Sequence, residues 1–156
     1  MTEVQRILDQ IKRAWEGEAW HGPSLQELLA NVDAATANAR PILGVHSIRE
    51  IVYHLAFWKN NSRERLAGAR VFPSDAESWP TTDESPAAWQ DTTKLLETHH
   101  RALAEAVAQI TDARLNEPVP GKQQDFAAYI LLHGVIQHDL YHAGQIALLK
   151  KAATGR

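Results

Sequence analysis

Four long stretches of this chain of 156 residues carry apolar side chains at the spacing of an α-helix. Apolar residues that recur every three or four positions fall on one face of a helix, and this periodicity is the main local signal of helical structure. No window of six residues alternates like a strand without fitting a helix better. We therefore predict an all-α fold with four main helices and one short helix, at about residues 2–17, 47–66, 86–110, 124–151 and 24–31, respectively.

Side chains that can cap helices support these starting points. Ser47 precedes Glu50 by three residues, and Ser24 precedes Glu27 in the same way, which is the capping-box pattern. The expected caps of the four main helices are Thr2, Ser47, Ser85 and Asp125. In the second helix the apolar stripe places Arg49, Lys59 and Arg63 on the far side.

The connections between the main helices, at 18–46, 68–85 and 111–123, are unusually long. Helices of a bundle are usually joined by about 2–8 residues, and longer links suit a bundle with a crossover connection. Such links also provide residues that can form the walls of a functional site. The length of the chain suits one domain.

The composition excludes several classes of protein. The 16 basic and 19 acidic side chains leave a formal charge of −3, unlike the basic surface of most nucleic-acid-binding proteins. There is no cysteine, so a metal must be held by nitrogen and oxygen ligands. The N-terminal segment lacks the apolar core of a signal peptide, and no apolar run suffices for a transmembrane helix. We expect a cytoplasmic protein that binds neither nucleic acid nor membranes.

His138 and His142, in the stretch HDLYHAGQI, are four residues apart and project from one face of the fourth helix. The other members of this face are mostly apolar: Ala127, Leu131, Val135, Gln145, Ile146 and Leu149. An amphipathic helix turns such a face to the core, where imidazole nitrogens need partners. One metal ion would satisfy acceptor nitrogens of both rings. The alternative is a pair of core histidines that bond to backbone carbonyls or acids.

Two histidines do not complete a site, because a catalytic centre of the zinc type uses three protein ligands and an open position. His54 lies at the edge of the apolar stripe of the second helix, while His99 and His100 flank the apolar line of the third. Each of these three is a candidate for the third ligand. His133 lies off the metal-facing side of the fourth helix, and His46 marks the start of the second.

Asp139 distinguishes HDLYH from the H-E-x-x-H motif of zinc proteases, which needs a glutamate general base beside the first histidine. Aspartate is one methylene shorter. Since successive helical residues are rotated by about 100°, we expect Asp139 to lie away from the core face. A protease of this type is therefore not expected.

Further residues are candidates for the surroundings of the site. Glu50 lies one turn before His54 and could accept its ring N–H or serve as a base, although capping is the stronger interpretation. Gln145 lies one turn after His142 and could orient a ligand or water, or bond to a neighbouring backbone group. His21 is a candidate for the pocket rim or simply closes the first helix.

The tryptophans are expected mainly in the core, with Trp58 also a candidate for the pocket wall. They are Trp15, Trp20, Trp58, Trp79 and Trp89.

The chain resembles the DinB-like, or DinB/YfiT, superfamily of small bacterial metal-binding four-helix bundles. The resemblance rests on HSIREIVYHLAFW in the second helix and HDLYHAGQI in the fourth, with support from AWHGPSLQELL and the RPI before the second helix. It covers essentially the whole chain. It implies a single domain at 1–156, an up-down-down-up four-helix bundle and, in many members, a homodimer.

The metal triad of that family corresponds here to His54, His138 and His142. Some relatives are S-transferases or isomerases that use mycothiol or bacillithiol, and many are described only as metal-dependent hydrolases. Several members carry an acidic residue shortly after the second-helix histidine, where this chain has Trp58, Lys59 and Asn60.

Three neutral imidazoles would leave a divalent ion its full charge, which lowers the pKa of water or of a thiol. Imidazole suits zinc, nickel, copper and iron alike, and we expect zinc or nickel. The predicted function is activation of water or a small-molecule thiol for attack on a small electrophilic substrate, as in a hydrolase or S-transferase. The alternative is a non-catalytic, metal-stabilised binding or stress-response module.

A second apolar flank on the fourth helix suggests a homodimer. A helix that is apolar on two sides is either central in its fold or shared with a partner. The flank consists of Leu132, Ile136, Leu140, Ala143 and Ala147.

Overall fold

The computed structural model describes residues 1–81 and 83–155, and it confirms the predicted all-α class. The helices of the described residues are α1 (Glu3–Glu16), α2 (Leu25–Leu29), α3 (Ala34–Asn38), α4 (Ile48–Leu66), α5 (Asp75–Ser78), α6 (Pro86–Ala108), a 3-10 helix (Asp112–Asn116) and α7 (Ala128–Thr154). The four predicted main helices are α1, α4, α6 and α7, and the predicted short helix is α2.

Local capping explains where most of these helices begin. Ser47 accepts a hydrogen bond from the backbone N–H of Glu50, whose carboxylate accepts one from the N–H of Ser47. Ser24 and Glu27 form the same reciprocal pair at α2. Each box satisfies two of the four backbone donors that a helix leaves unpaired at its N-terminus.

The predicted start of the fourth helix was wrong by four residues. The sequence pattern also did not indicate β1 (Pro118–Val119) and β2 (Phe126–Ala127), which pair antiparallel before α7 begins. Asp125 does not cap α7: its carboxylate accepts from the N–H of Gly121 inside the turn and pairs with Arg70. A strand of two residues is too short to show alternation in sequence.

The apolar core consists of two clusters arranged along the helices. One cluster includes Leu103 of α6 and Ile136 of α7, and the other includes Leu96 of α6 and Ala143 of α7. The residues between them on the same helices include buried polar side chains. We call Lys59, His100 and Asp139 the polar layer; they are 1%, 7% and 2% exposed.

The polar layer corrects two expectations about side-chain direction. Lys59 and Arg49 are buried, not on a solvent-facing side of α4, and Asp139 is buried rather than turned away from the core. The cause is tertiary: α4 packs against both α6 and α7, so more than one side of each helix is enclosed. Lys59 donates to the carboxylate of Asp139, which lets both charges lie inside the protein.

The tryptophans divide between core and surface. Trp15 and Trp89 are buried as expected, and the indole N–H of Trp89 donates to the carbonyl of Val32 at 2.9 Å. The expectation was wrong for Trp20, which is fully exposed. Among the described residues, no helix has the length and apolar character to cross a membrane.

Candidate metal centre

Three of the eight histidines meet at one point between α4 and α7. Nε2 of His54 lies 3.2 Å from Nε2 of His138, and Nε2 of His142 lies 3.1 Å from that same atom. The three nitrogens all lie within 4.8 Å of one another. His138 and His142 share a face of α7 as their spacing predicts, and the packing of α4 on α7 brings His54 to them.

The other ring nitrogens of two histidines have partners that determine which nitrogen carries hydrogen. Nδ1 of His54 donates to the carbonyl oxygen of Ser78 at 3.3 Å, and Nδ1 of His142 donates to Oε1 of Gln145 at 2.6 Å. Both oxygens only accept hydrogen bonds, so both Nε2 atoms are left as acceptors. The Nε2 atoms of His54 and His142 both face Nε2 of His138, which carries at most one hydrogen and so cannot donate fully to both. A cation at the centre would satisfy all three nitrogens.

Burial keeps the three imidazoles neutral. It lowers the pKa of His54 to about 4 and that of His138 to about 3, and it also lowers the pKa of His142. Mutual repulsion between the rings, when protonated, lowers the pKa of His54 and His138 further. A neutral imidazole presents its lone pair to a metal at ordinary pH.

The geometry and chemistry of this group fit a divalent metal ion. With metal–nitrogen distances of about 2.0–2.1 Å and tetrahedral angles, ligand nitrogens lie about 3.3 Å apart. The separations of 3.1 and 3.2 Å to His138 are close to that value. No carboxylate joins the group within the described residues. Three protein ligands would leave at least one position for water or substrate.

The connection between α4 and α6 supplies part of the wall. The indole of Trp79 stacks on the ring of His54 with centroids 3.8 Å apart. The ring of His46 also stacks on Trp79, again with centroids 3.8 Å apart. Together with the Ser78 carbonyl, Trp79 holds His54 in one orientation. Sequence reasoning missed these contacts, although it did predict that the long connections would line a site.

Two cavities share His54 and His138 in their walls. The first, of about 500 Å³, also contacts His46, Trp79 and Gln145. The second, of about 460 Å³, lies between α4 and α7 and has Trp58 in its wall. The candidate site is therefore open to small molecules by two routes.

The remaining candidates have other roles. Glu50 caps α4 and pairs with Arg40, in agreement with the capping interpretation, and does not bond to His54. His99 bonds to the carbonyl of Ala56, and His100 stacks on Trp15, so neither joins the triad.

His21 lies apart from the triad, in the wall of a different cavity along α7. Gly144 has open space where a Cβ would lie, so no neighbouring helix requires a glycine there. Gln145 contacts a triad histidine directly, because its Oε1 accepts the Nδ1–H of His142.

Comparison with known proteins supports the family assignment made from the histidine pattern. The model of the DinB superfamily matches residues 19–146, a range that contains all three clustered histidines. The chain belongs to the DinB superfamily. Among curated proteins there is no match.

A solved structure has the same fold as this DinB-superfamily chain. It is the crystal structure of a conserved protein from Enterococcus faecalis, with a TM-score of 0.74 and 19% sequence identity. The alignment covers 100% of this chain and 99% of that protein. At this level of identity the match shows a common fold across the whole chain.

Proposed function

We propose that this DinB-superfamily protein is a divalent-metal-dependent enzyme that activates water or a small-molecule thiol for attack on a small electrophile. The observation that carries the proposal is the convergence of three neutral Nε2 atoms beside two cavities. The proposed ligands are His54, His138 and His142, and zinc or nickel is the proposed metal.

An ion held there would supply positive charge, lowering the pKa of a bound water or thiol and stabilising negative charge in the substrate. The protein's own contribution is orientation. Ser78 and Gln145 hold the outer N–H groups of His54 and His142, so that the lone pairs remain aimed at one point. Trp79 covers one face of His54, and Trp58 lies edge-on to it at 6.1 Å, which limits the access of bulk water to that ring. Since the chain has no cysteine, a thiol must come from a separate small molecule.

A non-catalytic, metal-stabilised module would be favoured by a centre closed on all sides by protein. The adjoining cavities and the three-ligand set favour the enzyme instead. The proposed substrate is accordingly a small molecule.

The decisive experiment combines metal analysis with activity assays. The purified protein is expected to carry about one divalent ion per chain, and removal of the ion should abolish activity. The assays offer thiol-plus-electrophile pairs, with ester and amide substrates in parallel. A protein that binds no metal, or that is equally active after metal removal, would contradict the proposal.

We also propose that the protein forms a homodimer through α7, but through other residues of this helix than the sequence indicated. Leu132, Ile136 and Ala143 of the expected flank are buried inside the chain and cannot form the interface. Tyr141 and Leu148 instead lie on the exposed side of α7, at 65% and 64% exposure. Their spacing of seven residues places both on one stripe of the helix, where a second copy would cover them.

A further inference from the structure

The cavity between α4 and α7 is an elongated apolar groove that begins at the triad. Its residues on α4 run from His54 to Arg65, and its α7 side extends from His138 back toward Phe126. Arg65 lies eleven residues after His54, which corresponds to about 16 Å of helix rise. The apolar members of its wall are Trp58, Phe126, Ile130, Leu131 and Val135. We call this cavity the α4/α7 groove.

Arg65, at the end of the groove away from the triad, lacks an acidic partner among the described residues. Its Nε donates to the carbonyl of Pro120 at 2.8 Å, and its guanidinium lies 5.0 Å from the ring centroid of Phe126. Burial lowers the pKa of Arg65, with no carboxylate to offset the loss of water. Lys59, the other cation of the groove, is already paired with Asp139. A half-buried guanidinium in apolar surroundings is a favourable partner for an anion.

Gly134 of α7 faces the same groove. A Cβ built at this position would meet nothing within 4 Å, so no neighbouring helix requires a glycine there. Glycine weakens a helix interior relative to alanine. Its absence of a side chain does, however, keep the groove wide midway between Arg65 and the triad.

We propose that the α4/α7 groove binds the substrate, a small amphiphile with an apolar body and one anionic end. The carboxylate or phosphate end lies at Arg65, the apolar body lies along Gly134 and Trp58, and the reactive end reaches the triad. This inference rests on the proposed function in assigning chemistry to the triad. The binding of the anionic end depends only on the groove.

The test measures binding of octanoate, octyl phosphate and 1-octanol by calorimetry, with metal-loaded and metal-free protein. We expect one or both anions to bind to both forms, at least about tenfold more tightly than the alcohol. Arg65→Met should remove this preference, and Arg65→Lys should retain part of it. If both anions prove no tighter than the alcohol, the proposal is overturned.

A second pair of variants tests the position of the ligand without changing charge. Gly134→Leu should weaken binding of the anion at least about tenfold by filling the groove. Gly144→Leu is the matched control, because its Cβ also has open space, on a part of α7 outside the groove. Circular dichroism and metal content verify that both variants fold. An effect of Gly144→Leu alone would place the ligand in the other cavity and overturn the proposal.

Comparison of the metal-loaded and metal-free protein distinguishes failure of this inference from failure of the proposed function. Binding that requires the metal and ignores Arg65→Met would place the anionic end on the metal, which overturns the inference but leaves the proposed function intact. Conversely, a protein that takes up no metal yet binds octanoate through Arg65 would support the groove and contradict the metal-dependent enzyme.

Discussion

Lys59 of α4 and Asp139 of α7 form an ion pair inside the protein, with Nζ 2.5 Å from Oδ2. Asp139 directly follows His138, and Lys59 lies five residues after His54 along α4. The pair therefore joins the two helices that carry the triad, close to the point where the three histidines meet. This ion pair holds α4 and α7 in one position relative to each other along their axes. It tolerates little displacement, because a buried charge without its partner is costly.

Breaking this pair should destabilise the fold strongly. Replacing Lys59 by Met leaves the carboxylate of Asp139 buried without a cation, at an expected cost of about 3–5 kcal/mol. The double variant Lys59→Met, Asp139→Leu removes both charges and should recover most of that loss. Urea unfolding of the three proteins measures the difference.

The matched control for Lys59→Met is Lys12→Met. Lys12 pairs with Glu16 on the exposed surface of α1, 3.6 Å apart, where ion pairs contribute little. The change should stay within about 0.5 kcal/mol of the wild type. Equal effects of the two substitutions would show that the buried pair does not contribute as proposed.

Removal of one triad ligand should abolish most metal binding. His142→Ala leaves two imidazoles, too few for a stable site of the zinc type. His133→Ala is the control, because His133 contacts the ring of Tyr129, with centroids 4.2 Å apart, and lies outside the triad. Elemental analysis of the purified variants gives the answer. Stoichiometric metal in His142→Ala would indicate that the three residues are core histidines.

Gln145 should strengthen metal binding without being a ligand. Its Oε1 holds the Nδ1–H of His142, and loss of such a contact typically lowers metal affinity about 10–100-fold. Gln145→Ala should show this loss in competition with a chelator. Gln137→Ala, on the exposed side of α7, should not. Unchanged affinity in Gln145→Ala would mean that helix packing alone orients the ring.

His100 should make the protein sensitive to acid. Burial lowers its pKa from 6.5 to about 3, so only the unfolded chain takes up a proton between these values. The contribution of His100 to the free energy of unfolding is therefore highest above pH 6.5 and decreases as the pH falls toward 3. Between pH 7 and 5 this histidine accounts for a loss of about 2 kcal/mol.

The variant His100→Phe tests the direction and size of this pH-dependent loss of stability. It retains an aromatic ring beside Trp15 and removes the buried Nδ1, which has no hydrogen-bond partner in the described part of the chain. Denaturant unfolding at pH 7 and pH 5 should show a smaller loss of stability in the variant. The same loss in both proteins would assign the acid sensitivity to other groups.

The dimer proposal predicts that a charge on the exposed stripe of α7 separates the subunits. Leu148→Glu should give a monomer in sedimentation analysis at micromolar concentration, because burying an unpaired carboxylate opposes association. Leu43→Glu is the control, since Leu43 is fully exposed and lies outside α7. A wild-type monomer at the same concentration would contradict the proposal.

The sequence by itself determined the four main helices, the short helix α2 and most of their caps. Ser47 with Glu50, and the apolar repeat that follows them, needed only neighbours within one turn, which local hydrogen bonds and side-chain periodicity specify. The shared face of His138 and His142 followed from the same helical geometry. The family resemblance then selected His54 over His99 and His100, and the structure places these three histidines together.

Only the tertiary structure decided which polar groups lie inside and what completes the candidate site. Lys59 and Asp139 each looked solvent-facing on its own helix, because periodicity describes one helix and not the several neighbours that enclose it. Ser78 and Trp79 reach His54 from a segment with no periodic pattern, and Arg65 lies at the end of a groove that exists only when α4 packs on α7. These relations depend on side chains distant in sequence, so no local pattern contains them.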